Sequence, residues 1–190
     1  MRNVVFILIA VLLASNFLFR YTQDHSRILR YSGKVYIERA GEKISPIAGT
    51  LLNAQDKIVT GENAFVEVAY DDMHRDVLRI GSESSVVLES AVIEKQTSIF
   101  MDKGEIVLKL QDLEKGSTFK VRTPVAIAGV RGTSFGVRLN GNQAVITDYE
   151  SKIFVKGLTE DYLEMKEELL LSDGWKAQVT RFEKPSQVER

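Results

Sequence analysis

The chain has 190 residues and a formal net charge of −1, with 25 basic and 26 acidic residues. Both signs are interspersed, which gives no electrostatic case for nucleic-acid binding, because nucleic-acid readers concentrate positive charge on one face. The absence of cysteine excludes disulfides, thiol catalysis and a lipid-modified cysteine. With 44% hydrophobic and 27% charged residues, the sequence predicts one folded domain once a targeting segment is set aside.

The chain begins with an apolar run, residues 4–19, that lies between Arg2 and Arg20. A secretory signal peptide fits the basic start and the apolar centre, although the large Leu12 makes the cleavage site poor. A membrane anchor also fits, because about sixteen residues rise about 24 Å and snorkelling arginines extend the reach towards a hydrocarbon core of about 30 Å. We favour the uncleaved anchor and expect residues 4–19 to form a hydrophobic helix in the membrane.

From Gly33 onward, short runs of β-branched and apolar residues recur at regular spacing. In one of them, alternate residues from Ala64 to Tyr70 form an apolar face, and Glu67 lies on the other face. Several such runs, bounded by Gly or Ser clusters, predict an all-β fold. The expected architecture is an antiparallel sandwich or barrel-like domain of short strands, preceded by one N-terminal hydrophobic helix.

These features divide the chain into four predicted parts. The C-terminal stretch is polar, contains Pro185 and is expected to fray. The parts are a signal-anchor or signal peptide at 1–20, a juxtamembrane linker at 21–32, a β domain at 33–181 and a polar tail at 182–190.

Residues that could carry catalysis are few. His25 and His74 lie in no recognisable ligand spacing. Acids such as Glu67, Glu83 and Glu89 occupy strand positions that are predicted to face solvent, and no two of them are expected to converge. We therefore predict that the protein is not an enzyme and has no catalytic residue, metal site or cofactor.

An acidic loop follows the strand that ends near Tyr70. It collects four possible cation ligands, Asp71, Asp72, His74 and Asp76. Their spacing matches no known calcium loop. A solvated hairpin tip is therefore the preferred interpretation.

The segment Thr123 to Phe135 is too apolar for a surface loop, yet it contains a proline, two glycines and an arginine. Pro124 cannot donate to a β-ladder and so marks an edge or a kink between two strands. Gly129 and Gly132 permit close approaches or backbone angles that a side chain forbids. We expect the segment to thread through the folded interior, where Arg131 would need acceptors for its donors.

Asn140-Gly141 is the strongest hairpin signal in the chain, because alternating residues flank it on both sides. A two-residue turn at these positions places Leu139 opposite Asn142. The larger apolar face, which is expected to point into the core, consists of Phe135, Val137, Ala144 and Ile146.

Two further elements are predicted near the C-terminus. A short helix is expected at residues 158–166, with Thr159 as its cap and with Tyr162 and Leu163 facing inward. A second hairpin is expected to turn at residues 172–174, because Asp-Gly is a turn dipeptide between alternating residues.

Several of these motifs resemble one protein family. The run from Phe119 to Pro124, followed by Val130-Arg131-Gly132-Thr133 and Phe135, is similar to the signature of the ferric-citrate regulator (FecR) domain family. Residues 56–61 resemble the family's Gly-Asp-x-Ile-x-Thr turn, with Gln55 standing where the family has glycine.

The resemblance covers roughly residues 33–155 and implies a sensory or interaction domain outside the cytoplasm. Regulators of the family pair this domain with a cytoplasmic segment that holds a sigma factor. Because only Met1 to Asn3 precede the apolar run, we expect the extracytoplasmic domain without the anti-sigma segment. The signature residues, for which the expected role is structural, are Thr123, Pro124, Val130, Arg131, Gly132, Thr133 and Phe135.

Two residues are candidates for contact with a ligand or a partner. Arg131 could hold a carboxylate or phosphate in a bidentate fork. We prefer an interior, structural role in which it binds loop carbonyls or an acid such as Asp148 or Glu150. Trp175 could be an exposed contact aromatic, but its alternating neighbours favour the core or the domain edge.

The expected function is that of a non-catalytic signalling module in the cell envelope. We expect a single-pass protein of the cytoplasmic membrane with its β domain outside the cytoplasm, or a periplasmic protein if the leader is cleaved. It would bind another envelope protein by strand addition at a sheet edge or through a patch near Arg131. The alternative is a saccharide or cell-wall ligand, which predicts exposed aromatics in a groove, drawn from Tyr36, Tyr70, Tyr149 and Trp175.

Overall fold

The computed structural model describes residues 25–111, 113–150 and 152–188. Within these residues the chain forms sixteen β-strands and no helix, so the prediction of an all-β domain is confirmed. The hydrophobic helix predicted at residues 4–19 lies outside the described residues. The described part of the chain contains no helix long and apolar enough to span a bilayer.

The strands follow the runs of β-branched and aromatic residues, which suit a pleated, half-buried surface. In chain order they are β1 Arg27–Ser32, β2 Val35–Arg39, β3 Glu42–Ile44, β4 Lys57–Thr60, β5 Phe65–Ala69, β6 Val77–Ile80, β7 Ser85–Leu88, β8 Gln96–Lys109, β9 Thr118–Arg122, β10 Ala126–Val130, β11 Ser134–Asn140, β12 Gln143–Asp148, β13 Ile153–Gly157, β14 Leu169–Leu171, β15 Lys176–Thr180 and β16 Ser186–Val188. Strand β8 has 14 residues, and its length sets the topology.

Two sheets share strand β8. Sheet A has the order β1-β5-β6-β8-β11-β12-β15-β16, and sheet B has the order β3-β2-β4-β7-β8-β9-β10-β13-β14. The first half of β8 pairs with β7 in sheet B, and the second half pairs with β11 in sheet A. The inner faces of the two sheets enclose one hydrophobic core.

Gly104 marks the point at which β8 passes from one sheet to the other. Its φ of 94° is a left-handed value that glycine adopts without strain. A Cβ at this position would also lie 2.5 Å from the Cα of Ser84. The Ser84 hydroxyl accepts a hydrogen bond from the Glu105 amide at 2.9 Å, which ties the crossing to the end of sheet B.

The strand pair β8–β9 departs from the predicted antiparallel arrangement. Gln96 pairs with Thr118 and Phe100 pairs with Arg122 in a parallel ladder, while the other strand pairs of the described residues are antiparallel. Strand β8 ends in sheet A, so the chain must return to the start of β8 before it can rejoin sheet B. A return of this kind makes the next strand parallel.

Large apolar side chains fill the space between the sheets. Tyr70, Phe119 and Phe135 are almost completely buried. The rings of Tyr70 and Phe119 meet edge to face with their centroids 5.6 Å apart, a contact worth about 0.5–1.5 kcal/mol beyond the buried area. Burial raises the pKa of the Tyr70 hydroxyl far above its ordinary value.

The Asn140-Gly141 hairpin forms, but its predicted register is wrong. Asn140 pairs with Gln143 and Leu139 with Ala144, so the two-residue loop consists of Gly141 and Asn142. Gly141 has a φ of 56°, and a glycine at the first loop position is typical of a type II′ turn. The predicted inner face is still correct, because a register shift of two residues keeps each side chain on the same face of the sheet. Phe135, Val137, Ala144 and Ile146 are all buried.

The helix predicted at residues 158–166 is absent. Leu158 forms a bridge with Glu164, and Thr159 closes a tight turn by accepting the amide of Tyr162 through its carbonyl at 2.9 Å. Tyr162 and Leu163 are exposed rather than inward-facing. The stretch has too few inward apolar side chains to hold a single helical turn against the core.

The turn at residues 172–174 forms, but it does not make a hairpin. The amide of Trp175 donates to the carbonyl of Ser172 at 3.0 Å, as expected for a turn. The flanking strands then separate, because β14 pairs with β13 in sheet B and β15 pairs with β12 in sheet A. The turn therefore carries the chain from one sheet to the other.

Two edge strands lie in regions for which no strand was predicted. Strand β1 lies within the expected linker at residues 21–32, and β16 lies within the expected tail at 182–190. Strand β1 has a register shift between Ile28 and Arg30, which breaks the alternation that marks a strand in sequence.

Candidate functional site

The Thr-Pro motif forms the turn between β9 and β10. The hydroxyl of Thr123 accepts hydrogen bonds from the amides of Val125 at 3.1 Å and Ala126 at 2.8 Å. Pro124 occupies the first loop position, where a missing amide proton costs nothing. The prediction that this proline marks a break between two strands is confirmed.

Strand β10 enters the interior, as expected for the segment from Thr123 to Phe135. Every residue from Ala126 to Val130 is buried. The chain then turns outward at Arg131 and Gly132, where Gly132 has a φ of 125°. It returns to the core at Thr133, whose carbonyl accepts the amide of Leu110 at 3.1 Å.

The outer face of sheet B carries a row of three residues on adjacent strands. Gly129 on β10 pairs with Phe154 on β13, and Phe154 pairs with Leu170 on β14. A Cβ at Gly129 would overlap the ring of Phe154, so the ring lies directly on the glycine backbone. Leu170 is 61% exposed although it is a large apolar residue.

Beside this row is a groove of about 690 Å³, a volume within the range of ligand sites. Its floor is formed by residues 129–132 and Phe154, and its far wall by residues 168–173 of β14 and the following turn. We call it the Arg131 groove. It combines an apolar floor with charged groups at the rim.

Arg131 is exposed at the rim of this groove, so the expectation of an interior position is wrong. It forms no ion pair or hydrogen bond through its side chain within the described residues. Glu150, one of its expected acceptors, instead accepts the hydroxyl of Ser134 at 2.9 Å. Lys152 adds a second exposed cation, while Glu168 and Asp173 place acids on the opposite wall.

A model of the family described as FecR protein matches residues 56–153, more than half of the 190 residues. The chain belongs to the FecR family. The match includes the floor of the Arg131 groove on β10 and ends at the start of β13. The far wall on β14 lies outside the matched residues, so the groove joins a family segment to a part of the chain beyond it.

Solved structures resemble this FecR chain in fold. Two crystal structures of one protein from Parabacteroides distasonis ATCC 8503, provisionally assigned as an anti-sigma factor, align with a TM-score of 0.57 and 17% identity. The alignment covers 70% of this chain and 59% of that protein, so the chain spans little more than half of its length. Among curated proteins, none matches this chain.

The FecR turn before β4 forms without its glycine. Gln55 takes a φ of 70°, the left-handed value that glycine would supply. The carboxylate of Asp56 is buried and accepts the Asn53 amide at 2.8 Å, and both of its oxygens bind the guanidinium of Arg39. The hydrogen bond with Asp56 raises the pKa of Arg39. This pair of a buried carboxylate and a partly exposed arginine holds the turn together.

Glu67 was predicted to face solvent, but it is buried beneath two arginines on the outer face of sheet A. Its carboxylate binds Arg30 at 2.5 Å and Arg79 at 2.6 Å. The hydrogen bond from Arg30 holds the pKa of the Glu67 carboxyl below its usual range, with Arg79 acting in the same direction. The strand register brings the three side chains together, because Glu67 on β5 lies opposite Arg30 on β1 and Arg79 on β6.

The acidic loop is the tip of the β5–β6 hairpin, as predicted, with residues 72–75 exposed and Asp71 buried at its base. Asp71 is buried and accepts the amides of Arg75 at 2.7 Å and Asp76 at 3.0 Å. Burial alone would raise the pKa of Asp71, but these hydrogen bonds outweigh it and lower the pKa. Asp72 binds Arg27, and no group of three potential metal ligands occurs within the described residues.

The aromatic residues proposed for saccharide binding do not share one groove. Tyr70 is buried in the core, and Tyr36 lies on β2 beneath the ammonium group of Lys43. Trp175 is partly buried and packs against the core, the position preferred from its sequence pattern. Tyr149, which is 48% exposed, borders a separate hollow on sheet A.

Proposed function

We propose that this FecR-family chain is a non-catalytic interaction module of the cell envelope and that the Arg131 groove is its contact surface. Family membership and the fold support a regulatory rather than an enzymatic role. The observation that carries the proposal is the pairing of an apolar floor with an exposed arginine that has no acidic partner in the described residues. Such a groove suits a partner segment in which an acidic group lies beside an apolar side chain.

The location of the groove supports a protein partner. Leu170, on the edge strand β14, presents an apolar side chain at the rim, and β14 is only three residues long. Aromatic and arginine side chains are the residues that most often dominate protein interfaces, and exposed apolar surface beside them favours a protein partner. Binding would bury Leu170 and Phe154 and pair Arg131 with an acid.

We also propose that the protein is anchored in the cytoplasmic membrane. Residues 4–19 would tether the chain to this membrane, and the β domain would lie outside the cytoplasm. Protease added to intact spheroplasts would digest a β domain placed outside. Full protection until the membrane is lysed would contradict the proposed location.

Site-specific photo-cross-linking tests the groove. A photoreactive residue at Leu170 in the full-length protein should capture one envelope protein in intact cells. The matched control is Ile47, which is 71% exposed and apolar but lies in the loop between β3 and β4. Adducts of the same protein in similar yield from both positions, or an unchanged yield in Arg131→Glu, would refute the groove as the contact surface.

A further inference from the structure

A second hollow lies on the outer side of sheet A, away from the Arg131 groove. One in-register row of side chains crosses the five strands β6, β8, β11, β12 and β15. The row consists of Arg79, Val107, Gly136, Thr147 and Lys176. Adjacent strands lie about 4.8 Å apart, so the four intervals from Arg79 to Lys176 span about 19 Å. This row lines a trough of about 560 Å³.

The missing side chain of Gly136 leaves room for Tyr149 at the centre of the trough. A Cβ at Gly136 would lie 2.9 Å from the Tyr149 hydroxyl, so the tyrosine side chain lies against the glycine. Val107, beside Gly136, is 40% exposed on the trough floor. The trough therefore has an apolar centre bordered by one accessible aromatic ring.

Both ends of the trough are cationic. At one end, Arg79 shares Glu67 with Arg30, so two positive charges face one negative charge. At the other end, Lys176 forms no ion pair within the described residues. Between the ends, Arg138 is neutralised by Glu105 at 2.8 Å. This distribution of charge favours an occupant with negative groups along its length.

The position in the sheet indicates the kind of occupant. Strands β6, β8, β11, β12 and β15 each have a neighbour on both sides, so a peptide cannot add to them as another strand. An occupant must be recognised through the apolar floor, the tyrosine ring and a few polar side chains, as small-molecule sites are. Pyranose rings offer an apolar face for the tyrosine, hydroxyls for Thr147, and, when they are uronic acids, carboxylates for Arg79 and Lys176.

We propose that this trough binds a linear acidic oligosaccharide, a chain of uronic-acid rings laid across the strands of sheet A. The site is independent of the Arg131 groove, because the two lie on different sheets and share no residue.

Calorimetric titration of the full-length protein with tetragalacturonate tests the proposal, with cellotetraose as the neutral control and tetraglutamate as the acidic peptide control. Tetragalacturonate should bind more tightly than either control, and its affinity should fall as salt is added. Tyr149→Ala should weaken binding roughly threefold to tenfold, the usual range for one aromatic contact, whereas Tyr149→Phe should retain most of the affinity.

Lys176→Gln should weaken tetragalacturonate binding while leaving cellotetraose unaffected. The matched controls are Lys115→Gln and Tyr162→Ala, which alter exposed residues outside both hollows and should bind as the wild type does. Thermal unfolding of each variant shows whether the fold is intact. No binding of tetragalacturonate, equal binding of tetraglutamate, or folded trough variants with unchanged affinity would overturn the proposal.

Discussion

Gly129 leaves room for the ring of Phe154 on the outer face of sheet B. Gly129→Ala should therefore push the ring away and lower the free energy of unfolding by about 1–3 kcal/mol, the usual cost of overpacking. In a Phe154→Ala background the same substitution should cost much less, because the overlapping ring is gone. Urea unfolding of the four proteins measures this coupling.

Gly61→Ala is a matched control, since Gly61 has no positive φ and a Cβ there would lie 3.3 Å from the Cβ of Lys34, without the overlap found at Gly129. It should cost less than Gly129→Ala. Equal effects of Gly129→Ala with and without Phe154 would show that the ring does not depend on this glycine.

Glu67 links the stability of sheet A to pH. Arg30 and Arg79 lower the pKa of Glu67 in the folded state from the ordinary value of 4.5. The contribution of Glu67 to the free energy of unfolding is therefore complete above pH 4.5, and it is lost as the pH falls through the lower folded pKa. Glu67→Gln should reduce the free energy of unfolding at pH 7 and have a smaller effect at pH 3. Urea titrations at both pH values measure the difference, and an effect that is the same at pH 3 and pH 7 would contradict the assignment.

At the scale of the element, the turn before β4 carries a strained residue. Gln55 has a φ of 70°, which costs an L-residue about 1–2 kcal/mol, whereas glycine adopts it freely. Gln55→Gly should raise the free energy of unfolding by roughly 0.5–1 kcal/mol after the greater entropy of the unfolded glycine chain is counted. Gln55→Ala, which keeps a Cβ, should give no such gain. If Gln55→Gly is less stable than Gln55→Ala, the strain is not relieved by glycine.

Alternation in the sequence predicted which faces are buried but not which residues pair. The Asn140-Gly141 hairpin shows why: a shift of two residues leaves Phe135 and Val137 facing the core, so the pattern cannot detect it. The register follows from the turn, in which Gly141 takes the first loop position rather than the second. The helix expected at residues 158–166 does not form because the stretch has too few inward apolar side chains, and Leu158 bridges Glu164 instead.

At the scale of the molecule, both hollows arise from strand pairing that the sequence does not reveal. Gly129, Phe154 and Leu170 become neighbours only when β10, β13 and β14 pair. Arg131 was identified from the signature, but its exposure depends on the chain turning outward after β10. The shared strand β8 also could not be foreseen, because the polar residues 102–105 around Gly104 interrupt its alternation and predict a break between two separate strands.

We propose that the chain binds its partner through the Arg131 groove. Hydrogen–deuterium exchange of the full-length protein, alone and bound to the protein captured through Leu170, tests this most directly. We expect slower exchange at residues 129–132 and 168–173 and little change in the loop that contains Ile47. Protection confined to sheet A or to that loop, with the groove exchanging at its free rate, would contradict the account.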